Sequence, residues 1–269
     1  MFFRPSFGIL ALALAASSAI VAAELKPETL AAWREYASVV EQRRAREAAD
    51  GSRFLVLDFL ADRDAERRAL ASGAVVVREM PAARRDGRDI DVPSGLIHHW
   101  RGAVLVRGVT VGELLTRLER ADPPAIQQDV IRSSVLARGP NTERVFLRLQ
   151  RTKIVTAVFN TEHDVTFHPM TGTRAASTSV ASKIAEVRDP GTPQERELPA
   201  GADRGFLWRL NAYWRYEAAA GGVIAECESI TLSRSVPSLL RLIASPLING
   251  AAEESMQRTL EGLRQRYSR

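Results

Sequence analysis

From Ala74 onward the chain alternates apolar and polar residues with period two for about 160 residues, and then ends in one long segment with helical spacing. An antiparallel run of strands followed by a single terminal amphipathic helix has few places to hide that helix's apolar stripe. The sheet must therefore curve around it. The expected fold class is α+β: a curved antiparallel sheet of about seven strands wrapped around a long C-terminal helix, with an N-terminal helical extension in front.

Strands are expected at 74–80, 96–107, 130–138, 144–150, 154–167, 174–187, 206–217 and 223–233, separated by Gly, Pro and Asn signals such as Gly139-Pro140-Asn141 and Gly221-Gly222. A helix at 111–121 carries Leu114, Leu115 and Leu118 on one face and stops at Pro123-Pro124. In the C-terminal segment, 236–269, Ser235 can cap and Pro237 sits near the first turn, while Pro246 and Gly250 should kink the helix. Ile248, Ala252, Ser255, Met256, Thr259, Leu263 and Tyr267 then share a face. Ahead of the strands, Pro27 and Glu28 open a helix whose Leu30, Trp33, Ala37 and Val40 form one apolar stripe. Its second half, 41–50, reads as a solvated mixed-charge end. A further helix at 64–72 is stopped by Gly73.

Residues 1–23 read as an address. Arg4 stands in a short basic region, the apolar run from Phe7 to Val21 is fifteen residues, and Val21-Ala22-Ala23 supplies small residues where signal peptidase cuts. The run is short of the roughly 20 residues of a spanning helix. Cleavage after Ala23 and a periplasmic or secreted location are expected. The domains are then 1–23 signal peptide, 24–68 helical extension and 69–269 ligand-binding domain.

The 37 Lys and Arg exceed the 32 Asp and Glu by only five, and that excess is not clustered, which speaks against a nucleic-acid partner. Cys227 is the single cysteine, so no intrachain disulfide and no multi-cysteine zinc site can be built. No metal or other cofactor is expected. In a strand His98 and His99 face opposite ways, as do His163 and His168, so a metal site would need convergence from separate strands. Patterns for a nucleophile elbow, a P-loop and a dinucleotide fold are absent.

Strand 206–217 places Phe206, Trp208, Leu210, Ala212, Trp214 and Tyr216 on one face and Arg209, Asn211, Tyr213, Arg215 and Glu217 on the other. If parity carries through the following turn, Val223, Ala225 and Cys227 join the aromatic face, and Glu226 and Glu228 face the arginines. Either this is an ordinary core face backed by a solvated one, or the Trp face lines a cavity. In 154–167 the face of Val155, Ala157, Phe159, Thr161, His163, Val165 and Phe167 is apolar apart from Thr161 and His163. The buried imidazole is either a hydrogen-bonded core residue or the anchor for a ligand's polar head. His98, beside Trp100, Val104 and Val106, allows the same two readings. The loop 188–204, with three Pro and two Gly, reads as a lid at the cavity entrance.

The string GFLWRLNAYWRYEAAAGGVIAECESITL at 205–232, with AEVRDPGTPQERELP before it and SRSVP and ESMQRTL after it, resembles an uncharacterised exported bacterial family of the START-like, helix-grip SRPBCC superfamily. IHHWRGAVLVRG and NTEHDV extend the resemblance over roughly 95–263. It implies a seven-stranded sheet gripping the last helix around an apolar cavity; such relatives bind lipids, sterols, polyketides or plant hormones, and a few are cyclases. Residues 122–128, DPPAIQQ, depart from the aromatic and basic residues expected there.

The combined expectation is an exported protein that sequesters or carries a hydrophobic, lipid-like small molecule, with Trp100, Val104, Phe159, His163, Trp208, Leu210, Trp214, Cys227 and Met256 lining the site. The alternative is a cavity enzyme, a cyclase or lipid-modifying activity, with His163 or His98 as acid/base. A third is an envelope module that docks through Trp33 and Val40 of the N-terminal helix. Transient contact with a membrane surface stays open, as does the oligomeric state.

Overall fold

The computed structural model describes residues 24–84, 86–121, 129–152, 156–199, 201–235 and 241–269. The leader at 1–23, the departure at 122–128, Val155 and the first-turn Pro237 lie outside the described residues.

Helix α1 (Pro27–Ala48) starts with proline in its first turn and Glu28 beside it, where a missing N–H costs nothing and a negative charge meets the helix dipole. Its stripe is buried, with Trp33 and Val40 at 6% and 2% exposure, so neither is offered to an external partner. A 3₁₀ turn (Val56–Phe59) and α2 (Arg63–Ala71) follow, and Gly73, at a φ of 98°, takes the left-handed turn that stops α2. The domain boundary expected at Ala69 falls inside α2.

The sheet contains β1 (Val76–Glu79), β2 (Gly95–Arg107), β3 (Val130–Arg138), β4 (Thr142–Thr152), β5 (Thr156–Thr171), β6 (Arg174–Arg188), β7 (Arg196–Glu197), β8 (Arg209–Ala219) and β9 (Gly222–Arg234). The order is β1-β2-β9-β8-β6-β5-β4-β3, with β7 on β6 off this path, and every pairing is antiparallel. Edge strand β1 lies within the strand expected at 74–80, and only the two-residue β7 has no counterpart among the expected strands. Between β2 and β3, α3 (Val111–Glu119) begins at a reciprocal cap: Thr110 Oγ1 accepts from the Glu113 N–H at 3.2 Å, and the Glu113 carboxylate accepts from the Thr110 N–H at 2.8 Å. Helix α4 (Arg241–Tyr267) runs unbroken through Pro246 and Gly250.

Strand β2 shows which layer lies on which face. A Cβ on Gly102 would stand 2.6 Å from Leu260 Cδ1 and 2.8 Å from Met256 Cγ, so the even-numbered residues of β2 face α4. Trp100, Val104 and Val106 accordingly share a core with Met256, Leu260 and Tyr267. The odd-numbered Ala103 and Leu105 pack instead with Phe54, Leu55, Leu57 and Leu70 of the extension. The sheet is therefore sandwiched, α4 and α3 on its concave face and the N-terminal extension on its convex face. The architecture is α+β.

The convex face is where the structure departs most from expectation. The parity expected across the β8–β9 turn is present, with Arg215 opposite Glu226 and Trp214 opposite Cys227. The polar face is not solvated, however: Arg101 and Glu228 are 0% exposed, and Arg215 and Glu226 are buried as well. Burying charges at this density requires partners for each. Arg101 Nη2 donates to both Glu66 oxygens at 2.8 and 2.7 Å, and its Nη1 donates to Glu226. Glu226 also accepts the N–H groups of Val56 and Leu57, capping the 3₁₀ turn from another element. Glu228 receives Arg43, Arg44 and His99, and His99 meets the Tyr36 hydroxyl. Arg43, Arg44 and Glu47 belong to the stretch of α1 expected to be solvated; its charges instead supply the counterions of the sheet.

Candidate ligand-binding cleft

Strands β4, β5, β6 and β8 each present every second side chain to the concave face. The helix packs on β2 and, less extensively, on β1. Gly102 makes that approach close, and farther along the sheet a space remains. The result is a cleft of about 220 Å³. Glu143, Val145 and Leu147 come from β4, His163, Val165 and Phe167 from β5, Ser177 and Ser179 from β6, and Trp214 and Tyr216 from β8. Leu118 of α3 and Thr259, Gly262, Leu263, Arg266 and Tyr267 of α4 complete the wall. A dry apolar void of this size would cost about 5 kcal/mol, and the hydroxyls and imidazole on the wall reduce that cost by admitting water.

His163 sits at a register shift in the β5–β6 pairing, after Glu162. Its Nε2 lies 2.9 Å from Thr161 Oγ1 and its Nδ1 3.4 Å from Ser179 Oγ, so both ring nitrogens have hydroxyl partners. Burial lowers its pKa to about 4, against a weaker opposing pull from Asp164. At neutral pH the imidazole is uncharged. Asp164 points to the other face, where it accepts from Arg144 at 2.9 Å. Trp214 and Tyr216 lie parallel with ring centroids 6.1 Å apart, and the Tyr216 hydroxyl is 3.2 Å from Ser177 Oγ. Burial pushes the phenol of Tyr216 and the thiol of Cys227 upward, keeping both protonated.

Of the residues expected to line the site, His163 and Trp214 are on the cleft wall. Trp100, Val104, Cys227 and Met256 are in the adjoining core, which Phe167, Tyr216 and Tyr267 share with the cleft. Phe159 is buried on β5, opposite Leu149 and Glu186, and Leu210 is half-buried on β8; neither lines the cleft. Trp208 goes elsewhere. It packs with Trp33, Tyr36 and Ile230 under α1, and its Nε1 donates to Asp203 at 3.0 Å. Strand β8 begins only at Arg209, so alternation does not extend to Trp208. His98 is also off the cleft, paired with Ser233 Oγ at 3.1 Å and held near a pKa of 4 by burial.

Val145, Leu147, Ser177 and Ser179 were not singled out from sequence, although period-two alternation in their strands was the available signal. Alternation names a face without saying how far the helix covers it. The expected lid lies on the opposite side. Glu195 accepts twice from Arg148 at 2.8 Å, and Glu197 meets Asn160 and Lys183. Arg148 and Asn160 alternate out of phase with Leu147 and His163, and the register shift beside His163 sets Lys183 opposite Glu162 rather than on the His163 face, so the loop is strapped across the convex face. Among the described residues no cluster of three or more His, Cys, Asp or Glu is placed to hold a metal ion, and no helix is long and apolar enough to cross a membrane.

An antiparallel sheet closing its concave face on the last helix is the helix-grip arrangement. The observed α+β architecture is the arrangement expected from the sequence. Similar solved structures include the STAR-related lipid transfer protein of Xanthomonas axonopodis, 16% identical over 66% of this chain and 95% of that one, with a TM-score of 0.44. Human StAR-related lipid transfer protein 5 is 13% identical over 89% of this chain and 97% of its own, with a TM-score of 0.42. The Zhui aromatase/cyclase of a Streptomyces species is 12% identical over 64% and 94%, with a TM-score of 0.39. No protein-family profile matches the chain, and no curated protein does.

Proposed function

We propose that this chain is START-like and binds a small hydrophobic, lipid-like molecule in the cleft between α4 and strands β4, β5, β6 and β8, and holds it by burial without converting it. The observation that carries the reading is the wall itself: Val145, Leu147, Val165, Phe167 and Leu263 offer an apolar surface, interrupted by a few polar groups that can orient a guest. Burying ten methylenes contributes about 8 kcal/mol before the costs of association, so retention needs few specific contacts. An acid/base role asks for a pKa near the working pH, and His163, near 4 with only hydroxyl partners, is poorly matched to it.

The proposal includes export. The basic start, short apolar run and small residues up to Ala23 support a cleaved leader, placing the protein in the periplasm or outside the cell. N-terminal sequencing of exported protein should begin at Glu24; an intact Met1 overturns that part.

The cleft reading is tested by native purification and mass spectrometry of the solvent-extracted guest, for the wild type and for Val165→Trp, which fills the cleft. About one equivalent of an amphiphile should be recovered from the wild type and little from the variant. Recovery of none from either, under gentle conditions, would sink the reading.

A further inference from the structure

The hydrogen bonds around His163 fix where each proton lies, and with it what the cleft wall offers a guest. Thr161 Oγ1 donates to the Leu147 carbonyl at 3.2 Å, so toward His163 Nε2, 2.9 Å away, it can only accept. The imidazole is uncharged at neutral pH, because burial lowers its pKa to about 4. Its one proton is then on Nε2, and Nδ1 is a bare acceptor. Ser179 Oγ, 3.4 Å from Nδ1, therefore donates to it. This tautomer supplies all three contacts from the three protons available, whereas the opposite one leaves the contact between Thr161 and Leu147 without a proton.

Ser179 is half-buried on the cleft wall, and among the described residues its hydroxyl has no other partner. Turning its proton toward a guest would strand a buried imidazole nitrogen, so what it presents to the cleft is a lone pair. Thr259, the half-buried hydroxyl on the α4 wall, also spends its proton inward, on the Ser255 carbonyl at 2.8 Å. Ser177 and Tyr216 are buried and bonded to each other. The charged residues of the wall, Glu143 and Arg266, are both engaged within the protein. A guest that only accepts hydrogen bonds would set lone pairs against those of Ser179 and Thr259. One that donates completes the chain running from Ser179 through His163 and Thr161 to Leu147. Volume limits its size: a 150 Å³ apolar cavity holds benzene, so 220 Å³ holds about nine heavy atoms at most.

Building on the binding role proposed for this cleft, we propose that it selects a small neutral alcohol of about eight heavy atoms, whose hydroxyl donates to Ser179 Oγ. Val165 lies directly across the β5–β6 pairing from Ser179, and the carbon chain runs along Val165, Val145 and Leu263.

Calorimetric titration with 1-heptanol, hexyl methyl ether and hexanoate, probes of equal heavy-atom count, tests this on the wild type, Ser179→Cys and Val165→Trp. The thiol keeps the shape of the wall and can still donate to His163, but it is a weak acceptor. Heptanol should bind the wild type most tightly, weaken about fivefold in Ser179→Cys and be lost in Val165→Trp. The ether and hexanoate, which bring no donor, should bind the wild type more weakly and not weaken further in Ser179→Cys. Nitrogen NMR reads the proton independently: the His163 ring, identified by its loss in His163→Gln, should be the Nε2–H tautomer at pH 7. An Nδ1–H tautomer, heptanol affinity unchanged in Ser179→Cys, or ether or hexanoate binding as tight as that of heptanol overturns the alcohol proposal. With any of these, binding that Val165→Trp abolishes leaves the cleft reading standing, whereas binding indifferent to Val165→Trp removes both. Failure of all three probes to bind also overturns the alcohol proposal, and guest extraction then decides separately whether the cleft holds another class.

Discussion

Arg101 of β2 and Glu226 of β9 meet at 3.1 Å with both side chains almost wholly out of solvent, although strand register sets Glu228, not Glu226, directly opposite Arg101. The diagonal choice follows from the extension. Glu228 is already engaged by Arg43, Arg44 and His99, while Glu226 sits beneath the amides of Val56 and Leu57. Replacing Arg101 with Met leaves Glu66 and Glu226 without their shared cation. The expected cost is about 3–5 kcal/mol in urea unfolding. A loss below about 1 kcal/mol would mean the carboxylates are hydrated rather than paired.

Acid should weaken the protein in two stages. Burial alone would raise the Glu228 carboxyl, but the hydrogen bond from His99 and the charges of Arg43 and Arg44 prevail and hold it near 2, below its ordinary 4.5. A depressed carboxylate stabilises above its unfolded pKa, so that contribution is present at pH 5 and lost between about 4.5 and 2. His98 and His163, near 4 against an ordinary 6.5, are preferred neutral in the fold, so their contribution is lost earlier, as pH falls from 6.5 toward 4. Unfolding midpoints measured from pH 7 to 3 should fall through both windows. His163→Gln should flatten the upper one and Glu228→Gln the lower; an unchanged profile in either variant contradicts the corresponding assignment.

Close approach of α4 to the sheet depends on the missing side chain at Gly102. A Cβ there meets the flexible ends of Leu260 and Met256, with the Val76 carbonyl oxygen at 3.2 Å, so Gly102→Ala requires a shift rather than a rebuild. Overpacking of this kind costs about 1–3 kcal/mol. Combining it with Leu260→Ala should destabilise by less than the sum of the two single changes, because the cavity from one receives the methyl of the other. Strict additivity in a thermal double-mutant cycle would show that the helix does not touch β2 there.

The strap over the convex face should be irrelevant to ligand exchange. Shortening 190–194 ought to leave the dissociation rate of a cleft-bound guest unchanged, since the bonds of that loop run to Arg148, Asn160 and Lys183 on the far side of the sheet. A several-fold faster release, followed by stopped-flow displacement, would restore the lid reading.

Much of the architecture is local in origin and therefore legible. Alternation marked the strands because a pleated backbone sends successive side chains to opposite faces, and it set Trp214 apart from Arg215. Pro27 and Gly73 marked helix ends because one lacks an N–H and the other tolerates positive φ. Alternation also put His163 on a mostly apolar face, and that face borders the cleft. Trp208 failed the same reasoning because its backbone leaves the strand one residue before alternation begins.

Residue order by itself thus determined the elements and the parity of each strand, since both depend on neighbours a few positions apart. What only the tertiary structure decided was what covers each face. A row of Arg and Glu reads the same whether water or another charged layer lies over it, and here α1 and α2 arrive from more than a hundred residues away in sequence to supply the counter-charges of β8 and β9. The distance between α4 and β4 to β6 is likewise a sum of packing contacts along the whole sheet, so the space that could hold a guest appears only once the chain has closed on itself.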